Sequence, residues 1–436
     1  MKLSLKASLS FVSDSPPILP AVKTTDDNYQ TRAMRKFPLK PLLLATLLSA
    51  APPVFAAPNL DEAIQAAVQR HPLLQQAAAE RALGKGYRQQ ADSWLGGDLS
   101  ASLSYYSDQI GSDEGYREME AGVSLPLWMP GQRDARQNLA RAIGEQADAS
   151  TALLRWQVAG EVLELIWSLR LVASDEELAD AQWASARQLE KAVERRVGAG
   201  ELARADLLMV QQDTLSREVE HENARMAMDS AMATWQAYTG LNEVPTLPTD
   251  QLPLEKTLHI SHPLLQREQR RVAQMTARRD DSRRQRQSAP EMTLYAKRDR
   301  GSAQDPFGNS LGAEISLPFG SKYSMAPQVA ESEAALAEAR MGLASAKRNL
   351  ELKRVQTHQE LKRSKKALAL AKRQNQLADT RMTMNQRAFD LGESDLFLLL
   401  QARSQAAAAA RNLTRSRIEY RRAVSRHNHL LGEVPQ

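Results

Sequence analysis

The chain of 436 residues has no cysteine. That excludes disulfides, thiolate metal sites and cysteine nucleophiles. Aromatic residues make up only 5%, while Ala, Leu, Gln, Arg and Glu dominate. Such a mixture favours long helices over compact α/β domains. Catalytic signatures are absent too: there is no Gly-x-Ser-x-Gly, no P-loop, no dinucleotide fingerprint and no His-Glu-x-x-His. No enzyme and no cofactor are expected. The seven histidines are scattered. His427 and His429 stand two apart and diverge on a helix, so no metal pair is expected there. His71 and His262 each precede a proline at corresponding helical sites and read as structural. Met226, Met228, Met232, Met382 and Met384 have roughly helical spacing and read as core rather than as copper ligands.

The chain also lacks a lasting excess of positive charge. Its formal net charge is +5, but residues 1–56 hold seven basic and three acidic residues. Subtracting these from totals of 57 and 52 leaves 50 and 49, a net of +1. A nucleic-acid binder would keep a basic footprint, so no nucleic-acid partner is expected. The one apolar run sits in the leader. Met34-Arg-Lys-Phe-Pro-Leu-Lys40 is a positive n-region, Leu42–Ala51 an h-region, and Val54-Phe-Ala56 places small residues at the cleavage positions. We read 34–56 as a signal peptide and 1–33 as a gene-start artefact ahead of the true start at Met34. No cysteine follows the cleavage point to carry a lipid anchor.

What is present is a repeat. Ala121-Gly-Val-Ser-Leu-Pro-Leu127 is echoed 192 residues later by Ala313-Glu-Ile-Ser-Leu-Pro-Phe319. The same offset relates Gly200-Glu201 to Gly392-Glu393 and Gly240 to Gly432. His-Pro-Leu-Leu-Gln recurs from 71–75 at 262–266. Matches at nearly one offset indicate an internal duplication: a first repeat over 57–245, a proline-bearing linker over 246–254, and a second repeat over 255–436.

In the first repeat, Leu60, Ile64, Ala67 and Val68 share one helical face, and helical composition runs to about Ala91. After Gly96-Gly97 the period becomes two. Leu99, Ala101, Leu103 and Tyr105 alternate with serines, and Met119, Ala121, Val123, Leu125 and Leu127 alternate with Glu118, Glu120, Gly122 and Ser124. Strands are expected over about 98–107 and 117–127. Their length and dyad pattern suit a transmembrane β-strand pair, and equally a hairpin in a soluble sheet. Residues 130 to about 196 contain no proline after Pro130. Roughly 65 helical residues span about 100 Å, which argues for coiled-coil packing. An apolar stripe runs through Val158, Val162, Leu165, Ile166, Leu169 and Val172. Val197-Gly-Ala-Gly200 ends this helix, and a return helix over 202–238 must lie antiparallel to it.

The second repeat opens with a very basic helix over 261–288. It offers either an anion or nucleic-acid surface or, the favoured reading, a solvated face shared with Asp280 and Asp281. Strands follow over about 291–298 and 310–319, then a helix over 328–390, a tip at Leu391-Gly392-Glu393-Ser394, and a helix over 395–431. Ser394 and Asp395 read as N-caps. The fold class is thus mainly α with a small β part. Four membrane-length strands cannot close a barrel, and lipid does not tolerate an open sheet edge. Several chains must therefore share one barrel in outer-membrane lipid.

Over residues 58–436 the chain resembles the TolC-like outer-membrane efflux proteins. The Leu60…Ala67…His71-Pro-x-Leu74 opening, the two strand-Leu-Pro-helix junctions and the tips at Gly200 and Gly392 carry the resemblance. It implies a homotrimer with a 12-stranded β-barrel and a long periplasmic α-barrel. Such a trimer would be the exit duct of a tripartite pump, fed by an inner-membrane efflux transporter through a periplasmic adaptor and gated at the hairpin tips. It also implies an acidic residue six positions after the tip glycine. Asp206 fits after Gly200, as a lumen constriction or as an ordinary helix acid near an N-terminus. After Gly392 that position is Leu398, an apolar constriction or a core residue. Val197, Gly198, Gly200, Leu391, Gly392 and Glu393 are the candidate adaptor contacts. Overall spacing resembles the heavy-metal branch of the family. The competing reading is a periplasmic coiled-coil adaptor or scaffold without a membrane span. It explains poorly two strand pairs at equivalent positions.

Overall fold

The structure is a computed structural model. It describes residues 59–246, 261–285, 289–318, 323 and 325–432. The proposed start segment, the signal peptide, residues 247–254 of the linker and Phe319 lie outside the described residues.

The expected first helix is two: α1 (Leu60–Arg70) and α2 (Leu73–Asp92). Pro72 causes the break, since its ring prevents the helix from continuing through it. Asn59 and Glu62 form a capping box on α1, with Glu62 N–H to Asn59 Oδ1 at 2.7 Å and Asn59 N–H to Glu62 Oε2 at 3.1 Å. His71 caps α2 through its ring, accepting from Leu73 N–H at 3.2 Å. His262 does the same for Leu264 N–H at 3.2 Å. Both histidines are structural, as the sequence suggests.

Strands β1 (Ser100–Ser107) and β2 (Arg117–Pro126) lead into α3 (Gln132–Gly198), a single helix of 67 residues, followed by α4 (Arg204–Thr239). The second half holds α5 (Pro263–Arg284), β3 (Glu291–Arg300), β4 (Gly308–Ser316), α6 (Ala326–Asp390) and α7 (Leu396–Leu430). β4 ends before Pro318, which cannot donate to a ladder.

The four strands make one antiparallel sheet in the order β1-β2-β3-β4. Its register aligns residues of like character. Leu103, Ala121, Ala296 and Leu311 form one cross-strand row, and Ala101, Val123, Leu294 and Ala313 the next. Because side chains alternate across a strand, these rows make one continuous apolar face. On the reverse lie Ser104, Glu120, Lys297 and Ser310, then Ser102, Gly122, Tyr295 and Gly312. The apolar face is bare: Leu103 is 77% exposed and Leu311 is 88% exposed.

Helices α3 and α6 run the full length of the helical part. Towards the sheet, α2 and α5 pack on α3, and α5 also packs on α6. Towards the tips, α4 packs on α3, α3 on α7 and α7 on α6. The lower half is thus a curtain ordered α4-α3-α7-α6. Its main core lies midway. Ile64 of α1, Val158, Val162, Ile166 and Trp167 of α3 and Trp235 of α4 are buried together. Beside this core, Trp156 donates to the His429 carbonyl at 3.0 Å and stacks on its ring at 4.6 Å. Gly160 permits this approach, since a Cβ there would lie 2.5 Å from His429 Nε2.

Candidate functional site

The two hairpin tips share one backbone solution. Gly200 N–H bonds to Val197 O at 3.0 Å and Glu201 N–H to Arg196 O at 2.9 Å. Gly392 N–H bonds to Phe389 O at 3.1 Å and Glu393 N–H to Ala388 O at 2.9 Å. Both pairs are Schellman closures. They need a left-handed residue, supplied by Gly200 at φ +77 and Gly392 at φ +76.

The tips pack against each other. Leu189, Val193 and Val210 of the first hairpin and Phe389, Leu396 and Leu399 of the second form a buried apolar cluster, with Val197, Leu202, Leu207 and Leu400 against it. Arg196 lies over the Phe389 ring at 4.9 Å and donates to Glu201 at 3.1 Å. Of the candidate contacts, Gly198, Gly200, Leu391, Gly392 and Glu393 are exposed and Val197 is half-buried.

Asp206 sits on the first turn of α4, half-buried, and its carboxylate accepts the Ala203 N–H at 3.1 Å. That is half of a capping box, because Ala203 has no side-chain acceptor. Leu398 is exposed at 42% in the single chain, while Leu396 and Leu399 beside it are buried. The core alternative for Leu398 is therefore corrected: its position on α7 points it away from the tip cluster. Asp395 caps α7, accepting from Leu398 N–H at 2.9 Å. Ser394 makes no cap bond; its hydroxyl donates to the Asp395 carbonyl at 3.5 Å.

Charged contacts that sequence reasoning missed tie the halves together. Arg403 is largely buried on α7 and donates to Ser185 of α3. Burial pushes its pKa down, and Asp213 partly offsets this. Its signal was a lone charge in an Ala-rich helix. Higher up, Arg422 and Arg426 of α7 both bond Glu164 of α3, Arg422 at 2.6 Å. Burial alone would raise the Glu164 pKa, but these two guanidiniums more than offset it and hold it below the usual range. The basic helix α5 is a paired face. Arg136 meets Asp281 at 3.1 Å, Arg270 meets Glu145 at 2.7 Å and Arg283 meets Glu333 at 2.6 Å. Burial raises the Asp281 pKa despite Arg136. Among the described residues no group of three or more His, Asp or Glu side chains is placed to hold a metal, and no helix is long and apolar enough to cross a membrane.

The sequence pattern of the outer membrane efflux protein family matches residues 63–241. The cobalt-zinc-cadmium resistance protein CzcC of Cupriavidus metallidurans is 27% identical over 157 residues, 33% of this chain and 37% of that one. The match thus spans little more than a third of that relative. In fold, the chain resembles the Campylobacter jejuni CmeC outer membrane channel with a TM-score of 0.66 at 14% identity, covering 87% of each chain. The Vibrio cholerae outer membrane protein VceC gives 0.66 at 14% identity, over 86% of this chain and 97% of that one. By sequence pattern over 63–241 the chain is similar to the outer membrane efflux protein family, and over most of its length it has the fold of solved outer membrane channels.

Proposed function

We propose that three copies close head to tail into the exit duct of a tripartite efflux pump. The observation carrying this reading is that both layers end in matching open edges. In the sheet, β1 and β4 each lack an outer neighbour among the described residues. In the curtain, α4 and α6 do, and each bears an uncovered apolar stripe. On α6 and its C-cap the stripe is Leu370, Leu377, Met384 and Leu391, every seventh residue; on α4 it holds Leu208, Leu215, Val219 and Met226. A strict seven-residue repeat is a coiled-coil seam. The stripes also match in height. Leu208 and Leu215 lie 8 and 15 residues after Gly200, and Met384 and Leu377 lie 8 and 15 before Gly392. Since the two tips pack together, α6 of one copy meets α4 of the next at these levels, running antiparallel.

Three copies of the four-stranded sheet give twelve strands. About eight strands make a barrel whose side chains fill it, so a larger barrel leaves a lumen. The apolar face then meets lipid and the Ser/Glu/Lys face lines the lumen. The chain acts as a passive channel rather than an enzyme. A ring of Asp206 with Leu398 forms the periplasmic constriction. Val197, Gly198, Gly200, Leu391, Gly392 and Glu393 receive the periplasmic adaptor, which links the duct to an inner-membrane transporter. The CzcC likeness makes divalent metal ions the first cargo to assay.

A chain without cysteine allows a direct test. Leu208→Cys combined with Met384→Cys should oxidise into a species of three times the chain mass, in a fraction that also shows a heat-sensitive oligomer. Bonds within single chains, or a soluble periplasmic monomer, would return the coiled-coil scaffold reading.

A further inference from the structure

The strands leave the helices at Pro126 and Glu291 and turn back at the loops 108–116 and 301–307. With the helices in the periplasm, these loops lie on the cell-surface side. Two cross-strand rows beyond the apolar band point to the same face as Leu103 and Leu311. The first holds Tyr105, Met119, Arg298 and Asn309; the second holds Ser107, Arg117 and Arg300.

Three cations therefore crowd the rim of an apolar surface. Arg117 and Arg300 are direct cross-strand partners, and like charges so placed repel. None of the three forms an ion pair among the described residues. Glu118 and Asp299 lie on the opposite face, where Glu118 pairs with Lys297 at 2.7 Å. The loop carboxylate of Asp108 is bonded to Gly115 N–H at 3.0 Å, and Asp113, Glu114 and Asp305 make no ion pair with the three arginines. The guanidiniums are nonetheless positioned. Arg298 and Arg300 lie over the Phe307 ring at 4.8 and 4.9 Å, and Arg300 Nε donates to the Gly115 carbonyl at 3.1 Å.

We propose that Arg117, Arg298 and Arg300 bind the phosphate of a phosphorylated lipid headgroup in the outward leaflet, with its acyl chains lying on Leu103, Ala121, Ala296 and Leu311. The site rests on the reading of the sheet as part of a membrane-spanning barrel. Arginine suits it because its planar fork of donors meets phosphate in a bidentate way. The site lies on the central strands β2 and β3, so closure of the ring at β1 and β4 leaves it free. A phosphate there also removes the repulsion between Arg117 and Arg300.

The test uses the purified oligomer in uncharged detergent, probed with bisphosphorylated lipid A, the same lipid dephosphorylated, and inorganic phosphate. Native mass spectrometry should show the bisphosphorylated lipid retained. Each of Arg117→Gln, Arg298→Gln and Arg300→Gln should weaken retention about fivefold, and the triple variant on the order of a hundredfold. If the triple variant fails to assemble, Arg117→Gln carries the test, since that side chain makes no hydrogen bond or ion pair among the described residues. Equal retention of the dephosphorylated lipid overturns the site in favour of acyl contact alone. Equal protection by inorganic phosphate overturns it in favour of a free anion. A wild-type chain that forms no oligomer sinks the barrel reading and the site together. An intact oligomer blind to the phosphates sinks only the site.

Discussion

Arg403 on α7 donates to the backbone carbonyl of Ser185 on α3 at 3.3 Å, joining the second hairpin to the first a few turns above their tips. A hydrogen bond from a charged donor contributes about 1.5–3 kcal/mol. Arg403→Leu should therefore lower the melting temperature of the oligomer. On the proposed channel reading it should also raise single-channel conductance in planar bilayers, because the hairpins would then separate more easily. Unchanged conductance with a lowered melting point would make the contact purely structural.

The tip glycines separate backbone strain from partner contact. A Cβ at Gly198, Gly200 or Gly392 meets nothing within 4 Å, but only Gly200 and Gly392 have positive φ. Gly200→Ala and Gly392→Ala should each cost about 1 kcal/mol through the left-handed backbone. Gly198→Leu should leave thermal stability unchanged and still abolish metal or drug resistance in cells, because it would fill the surface proposed for the adaptor. Full resistance with Gly198→Leu would remove Gly198 from that surface.

Neighbouring positions on β1 read out the two faces of the sheet. Leu103→Lys puts a charge on the face proposed to meet lipid and should cost about 2–4 kcal/mol near the midplane, reducing the proposed heat-sensitive oligomer. Ser104→Lys faces the other way, opposite Glu120, and should assemble normally. Equal loss in both variants would contradict a membrane-facing side.

Glu164 gives a pH dependence whose sign follows from its lowered pKa. Its contribution is present above the unfolded value of about 4.3 and is lost as pH falls through the lower folded value. The wild-type melting temperature should fall more steeply below about pH 4.3 than that of Glu164→Gln. At pH 7 the variant should be the less stable of the two, since Arg422 and Arg426 lose their shared carboxylate. Parallel pH profiles would show that the pair adds nothing to folding.

Periodicity made the elements legible. Alternating residues marked all four strands, and proline-free runs marked α3 and α6, because each signal is local to its segment. The tip glycines were legible for the same reason: a left-handed closure requires that residue. The break at Pro72 was passed over because the apolar pattern continues on both sides of it. Leu398 was ambiguous because a run of leucines hides which ones face inward; only the packing of Phe389 against Leu396 and Leu399 decides it. Arg403, Arg136 and Glu164 could not be paired from sequence. Their partners lie on distant segments, and a basic helix such as α5 looks the same whether its charges meet water or carboxylates. The edge stripes on α4 and α6 were written in the sequence as heptads, but only the order α4-α3-α7-α6 shows that the chain leaves them uncovered.

The position of the main core gives the helices a mechanical property. Trp235, Ile166 and Ile64 are locked together near one end of α4, whose 36 residues then run to the tip packed along α3, with His221 stacked on Trp183 at 4.9 Å on the way, so that the two helices form one arm. At 1.5 Å per residue that is a lever of about 54 Å. A rotation of about 5° at its fulcrum swings the far end by roughly 5 Å, about one helical turn. A small turn at the core is thus magnified at Gly200, the far end of that arm.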